Sequence, residues 1–386
     1  VGWAWWPLKK IETINAPLSI TKNPGYQNLL NYWSGNATAP SVSDATAALM
    51  QLTTDLKAEN CTYNRGVIDA MFRQVYDPTA LPWKEHNIPG VVHASEYDMG
   101  PLGVAYYDTE SMQLNPPPAW NSGWTYRNDG VDVQLFTDFV NSNGYCVGFV
   151  DTDDWMQYTV NIPQDSVYSI KVRQGTSGST GGNFYFEADG VKLTSNYYAT
   201  NTGSWTVLAD KVIPNVILSA EDETLRFVAN GGGFNVSSFE FIPTGSTTAL
   251  DAEYVSSLTH SYTEIEVKTN KPLDTTQLGT LGSYYVTISG NPATVVNIAP
   301  SPNNVRSFTL TLSQNMTFLD EMKVSYAGTT LKAKDGTSVD PFSFELVENT
   351  LPTVHVVPGK IEAEAYSSMD GISLENTSDV GGGQNI

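Results

Sequence analysis

The sequence predicts a mainly β chain: two antiparallel β-sandwiches in succession, preceded by a short α/β segment. Three observations predict it. From about residue 84 to residue 349 apolar and polar side chains alternate over short runs, the period of a strand with one buried face. Turn formers punctuate those runs, drawn from 31 Gly and 21 Pro in 386 residues. Helical spacing of apolar residues is confined to the part before about residue 85.

Taken in order, Val1-Gly-Trp-Ala-Trp-Trp6 is an apolar run closed by Pro7 and reads as a buried strand. Ser43 has the character of an N-cap ahead of a helix over residues 45 to 60, where Ala48, Leu49, Leu52 and Leu56 recur at three- and four-residue spacing. A second helical stretch covers residues 66 to 75. The strands of the first sandwich are read at 156–160, 168–172, 183–187 and 224–228, separated by signals such as Asp189-Gly190 and Gly231-Gly232-Gly233. Thr244-Gly-Ser-Thr-Thr248 is a polar linker. A smaller, immunoglobulin-like sandwich follows, with strands at 264–267, 308–312 and 323–326. Finally, the segment 88–97 is echoed at 357–366, as though a second copy of the first sandwich were beginning. With no basic and apolar leader at Val1, the chain is expected to be a piece of a longer polypeptide.

Composition narrows the partners. Against 20 Lys+Arg stand 41 Asp+Glu, a formal net charge of −21, which argues against nucleic acid and anionic membrane surfaces. No run approaches the roughly 18 apolar residues of a membrane-spanning helix. Only 16% of residues are charged, while 9 Trp, 20 Tyr and 14 Phe make the chain rich in aromatics. A neutral partner suits this balance. Cys61 and Cys146 fall in different predicted domains, so paired and free states both stay open.

Signals for catalysis are weak. The four His (His86, His93, His260, His355) show no metal-ligand spacing, and no nucleophile elbow or phosphate-binding Gly-rich loop occurs. Asp151, Asp153 and Asp154 crowd one turn, a pattern that suits a turn former or a cation ligand better than a catalytic pair. Binding signals are stronger. Sugars present flat C–H faces and hydroxyl rims, so they call for aromatic platforms and a few amides. Phe149 beside the acidic turn, Trp205 in a polar loop and Asn235 after three glycines supply that combination near predicted turns, where core packing is least expected.

The run Gly148-Phe149-Val150-Asp151-Thr152-Asp153-Asp154-Trp155-Met156-Gln157-Tyr158, with Tyr126-Arg-Asn-Asp-Gly130 before it and Gly203-Ser-Trp205 and Gly232-Gly-Phe-Asn235 after it, resembles carbohydrate-binding module family 6. The resemblance spans about 88 to 243. It implies a β-jelly roll whose loop-end cleft holds a sugar between Phe149 and Trp205, with Asn235 bonding its hydroxyls. A second cleft on the concave face would use Trp155. The resemblance also implies a structural calcium. The acidic positions match at Glu362 and Glu364 of the second copy, but His93 and Ser95 stand there in the first, leaving Glu96 as the candidate ligand.

Residues 1–83 resemble the C-terminal end of a glycoside hydrolase family 5 barrel, in which Trp6 would floor the subsite at the scissile bond and the catalytic glutamates would lie upstream of Val1. Residues 249–350 are similar to immunoglobulin-like spacers of bacterial extracellular proteins. The expected organisation is therefore a barrel remnant (1–83), a carbohydrate-binding jelly roll (84–243), a spacer (249–350) and a truncated second module (354–386). The expected function is non-catalytic binding of neutral β-linked polysaccharide, cellulose or another β-glucan, by a monomeric module of a secreted bacterial polysaccharide-degrading enzyme, with no nucleic acid or membrane partner; a xylan ligand, hydrolase activity of the parent enzyme and an extracellular adhesin without carbohydrate ligand are the alternatives.

Overall fold

The computed structural model describes residues 6–73, 77–109, 126–127, 129–178, 181–352, 375–376 and 384–385. Contacts divide the chain into two units, Val1–Gly245 and Ser246–Ile386. The predicted class holds: the chain is mainly β, and each unit is built on a β-sandwich. The second copy expected over 357–366, with Glu362 and Glu364, lies outside the described residues.

The first unit opens with a small sheet in which Lys9–Ile11 runs parallel to Leu18–Ile20, and Thr62–Tyr63 pairs with the latter strand antiparallel. Of the buried strand expected over residues 1–6 only Trp6 lies among the described residues, and it is 92% exposed; among those residues pairing begins at Lys9. Pro7 intervenes and has no N–H to give to a ladder. Three helices follow: α1 (Pro24–Trp33), α2 (Val42–Asp55) and α3 (Arg65–Phe72). The cap of α2 is Ser41, not Ser43. Ser41 Oγ accepts from the Asp44 N–H at 3.1 Å and donates to the Asp44 carboxylate at 2.7 Å, a reciprocal arrangement that Ser43, already inside the helix, cannot make. The helix also ends before the expected Asn60, whose side chain instead donates to the Thr54 carbonyl. Arg65 and Arg73 bond the carbonyls of Trp83, Thr79 and Met99, so α3 is tied to the chain entering the sandwich.

The sandwich strands are β1 (Gly90–His93), β2 (Val133–Leu135), β3 (Tyr145–Val150), β4 (Trp155–Asn161), β5 (Ser166–Gly175), β6 (Asn183–Ala188), β7 (Ala209–Leu218), β8 (Thr224–Gly231) and β9 (Phe234–Gly245). One sheet has the order β7-β5-β9-β3-β2, with β1 also on β9; the other is built on β6-β8-β4. Along β4 and β6 alternate residues turn inward, as the period-two runs predict. Phe186, Phe227 and Phe239 meet between the sheets at centroid separations of 5.0–5.5 Å. This is the β-jelly-roll sandwich the sequence called for.

The second unit packs one four-stranded antiparallel sheet (Tyr254–Ser261, Glu264–Thr269, Ser307–Leu312, Val295–Pro300) against another (Asn291–Ala293, Tyr284–Ile288, Met322–Tyr326, Phe342–Val347) around a separate core. Lys271 is buried there and satisfied: its ammonium donates to the carbonyls of Thr247 and Leu250, to the Asp335 carboxylate and to the Thr337 hydroxyl. The predicted linker is thereby fastened to the second sandwich. No helix among the described residues is long and apolar enough to cross a membrane.

Candidate functional site

Phe149 is the penultimate residue of β3, where a regular strand would alternate. It does not. Phe234 pairs with Val150 and Val236 with Val147, so Gly148 and Phe149 together oppose the single residue Asn235. This is a β-bulge, a device that re-aims one side chain. Phe149 takes φ of +49°, a left-handed conformation costly for a bulky residue, and its ring is 53% exposed. An aromatic expelled from the core by a strained backbone is unusual, and burial is not its reward.

On the far side of Asn235 lies Gly175 of β5, its register partner. A Cβ there would come within 2.5 Å of the Val207 carbonyl and 2.9 Å of Thr202 Oγ1, so only glycine lets the 199–208 loop lie this close. The loop is well pinned. Thr202 N–H donates to the Thr176 carbonyl, Thr200 and Gln174 exchange two hydrogen bonds, and Asn201 closes an Asx turn on Gly203. Leu208 anchors its end against Phe136 and Cys146. The Cys146 thiol is buried, which pushes its pKa up to about 12, so this free cysteine is a packing group. At the crest of the loop Trp205 is 46% exposed.

Asn235 links the two aromatics. Its Nδ2 donates to the Trp205 carbonyl at 2.9 Å while its backbone faces the bulge that carries Phe149. The Asn235 side chain is largely buried, and its Oδ1 lies 3.4 Å from the point where Gly148 would carry a Cβ. Gln134 Nε2 is 2.8 Å from the same point. Two amides therefore converge over Gly148 between exposed rings. The structure thus brings Phe149, Trp205 and Asn235 together, and it adds Gln134, which sequence reasoning missed because nothing in β2 marks it.

The remaining candidates fall elsewhere. Trp155, on β4, is partly buried with the Arg226 guanidinium 3.8 Å over its ring, so one face is already covered. The acidic turn is a structural latch: Asp154 accepts from the Asp151 N–H at 2.7 Å and from the Thr109 N–H and hydroxyl, and burial raises its pKa. Trp6 stands exposed and far along the chain from this site.

Glu96 is buried beside β1. Lys84 Nζ lies 2.9 Å and His93 Nδ1 3.1 Å from its carboxylate, and Asn143 and Tyr126 donate to it at 3.3 Å. Burial works to raise its pKa, yet the His93 and Lys84 hydrogen bonds and charges hold it at about 2. This donor set does not fit calcium, which takes six to eight oxygens at roughly 2.4 Å. Here a single carboxylate already has an ammonium for its cation.

The model of carbohydrate binding module (family 6) matches residues 124–243. A search of curated proteins finds no match to the chain. Among solved structures, a β-1,3-glucan-binding family 6 module from Bacillus halodurans is 22% identical, with 41% of this chain and 98% of that one covered and a TM-score of 0.30. A module of Cellvibrio mixtus lichenase 5A, solved with cellotriose, is 29% identical over 30% of this chain and 88% of that one, with a TM-score of 0.27. The C-terminal family 6 module of a marine laminarinase from Zobellia galactanivorans is 23% identical over 29% and 86%, with a TM-score of 0.26. Residues 124–243, the part of the chain that matches the family 6 carbohydrate-binding module, contain the bulge, the pinned loop and the two amides.

Proposed function

We propose that this chain binds a neutral β-linked polysaccharide, a β-glucan such as cellulose first among them, at the end of the jelly roll and without catalysis. The observation that carries the proposal is the bulge and tether around Asn235, which fix two exposed aromatics beside converging amides. A pyranose ring would lay its C–H face on Phe149 or Trp205, each contact worth on the order of 1 kcal/mol. The amides of Asn235 and Gln134 would orient its hydroxyls. The pinned loop holds this geometry before a ligand arrives, which lowers the ordering cost of binding.

Affinity electrophoresis of the whole chain in β-glucan gels tests the reading. Trp205→Ala should markedly weaken retardation while circular dichroism stays native; unchanged retardation rejects the loop-end site. A glycan array separates β-glucans from xylan.

The parallel pairing of Lys9–Ile11 with Leu18–Ile20, followed by helices, supports reading residues 6–73 as part of a hydrolase barrel in a secreted polysaccharide-degrading protein. On that reading this chain itself releases no reducing sugar from β-glucan. Release above a protein-free control would overturn it.

A further inference from the structure

The second sandwich repeats the device that exposes Phe149. In its sheet of Asn291–Ala293, Tyr284–Ile288, Met322–Tyr326 and Phe342–Val347, the side chains of Val286, Ile288, Val324 and Tyr326 point into the core. The opposite face shows Tyr285 45% exposed and Phe344 60% exposed, with Leu346 beside them. Register passes from Val324 opposite Glu345 to Tyr326 opposite Phe342, so Ser343 and Phe344 together oppose Ser325. Phe344 stands in this bulge with φ of +55°, and its N–H donates to Ser325 Oγ at 2.8 Å. A bulky residue keeps a left-handed backbone only where its surroundings impose it. Core packing cannot be the reason here, because the ring points outward.

The Tyr285 and Phe344 rings have centroids 6.0 Å apart and planes at 81°. Their faces form a corner, not a flat strip. Tyr285 is the register partner of Ser325, so the corner straddles a small hydroxyl-bearing residue, with the exposed Ser343 alongside. A corner of this shape suits a six-membered ring with apolar faces and a polar rim, one aromatic under the C–H face and the other at its edge. Three apolar side chains are far short of the roughly 1,200 Å² a stable protein interface buries. The formal charge of −21 disfavours a polyanion.

We propose that the Tyr285–Phe344 corner is a second saccharide site, taking a neutral pyranose unit of the same polysaccharide class as the jelly roll. For the ligand class, the assignment rests on the function proposed above. Two sites on one chain would raise the effective concentration of each for a long polymer.

Isothermal titration of the whole chain with mixed-linkage β-glucan oligosaccharides tests this. Tyr285→Ala with Phe344→Gly removes the corner, and glycine suits the left-handed backbone, so the fold is kept. The native chain should bind about two oligosaccharides; this variant and the Phe149→Ala, Trp205→Ala variant should each bind about one, and the combined variant none. A native stoichiometry of about one, lost only in the Phe149, Trp205 variant, overturns the second site and leaves the first standing. A single site lost only with the corner overturns the loop-end reading instead, and no binding at all overturns both. If the corner variant alters only the sedimentation coefficient, the face is a contact between copies and the proposal fails.

Discussion

Phe149 shows how one residue can be set against its own backbone for a purpose outside the core. The left-handed region costs a non-glycine residue about 1–2 kcal/mol, and the side chain carried by this backbone stands half exposed. Phe149→Gly should leave thermal stability unchanged or raise it by about 1 kcal/mol while markedly weakening retention on β-glucan. A melting temperature that falls with the loss of binding would instead make Phe149 a packing residue. Asn235→Ala removes both the tether to the Trp205 carbonyl and the amide proposed to orient the sugar hydroxyls. The expected cost is about 1–3 kcal/mol of binding free energy, read by titration against an oligosaccharide. Phe149, Trp205 and Asn235 could be picked out in the sequence because aromatics and an amide beside glycines are conspicuous. Gln134 could not, since its role depends on Gly148 leaving room on a neighbouring strand.

Among the elements, the junction of Lys84, His93 and Glu96 holds the strand that opens the sandwich. The Glu96 carboxyl has a folded pKa of about 2, below its unfolded value near 4.5. A depressed acid stabilises the fold above the unfolded pKa, and that stabilisation is lost as pH falls from about 4.5 through about 2. The first unit should lose about 3 kcal/mol across this window, and Glu96→Gln should flatten the loss; equal acid melting curves for the two proteins would exclude the assignment. Because the ammonium of Lys84 already serves this carboxylate, calcium and chelator should leave the melting temperature of the first unit unchanged. In the second unit, Lys271→Ala strips the partly buried Asp335 carboxylate of its cation and takes a donor from the carbonyls of Thr247 and Leu250. A loss of about 3–5 kcal/mol is expected for that unit, followed by chemical denaturation. Helix and strand identities were legible from periodicity, but their ends were not. The cap at Ser41 and the stop at Asp55 depend on side-chain bonds from Asp44 and Asn60 that spacing does not reveal.

At the scale of the whole molecule, the net charge of −21 and a neutral ligand predict retention on β-glucan that does not change between low and high salt. A steep decline with salt would point to an ionic ligand. The sequence by itself determined that the chain is mainly β and that two sandwiches follow a short α/β segment, and it singled out residues near the acidic turn and the Gly-rich turn as the proposed sugar contacts. Alternation and turn residues are local properties, so a linear reading recovers them. Tertiary structure alone decided that Phe149 leaves the core through a bulge and that Asn235 joins it to Trp205. It also decided that Lys84 neutralises Glu96, and that the second sandwich bears an aromatic corner of its own. Each of these rests on register between strands far apart in sequence or on a close approach that a missing Cβ allows, and neither is written in the spacing of residues along one strand.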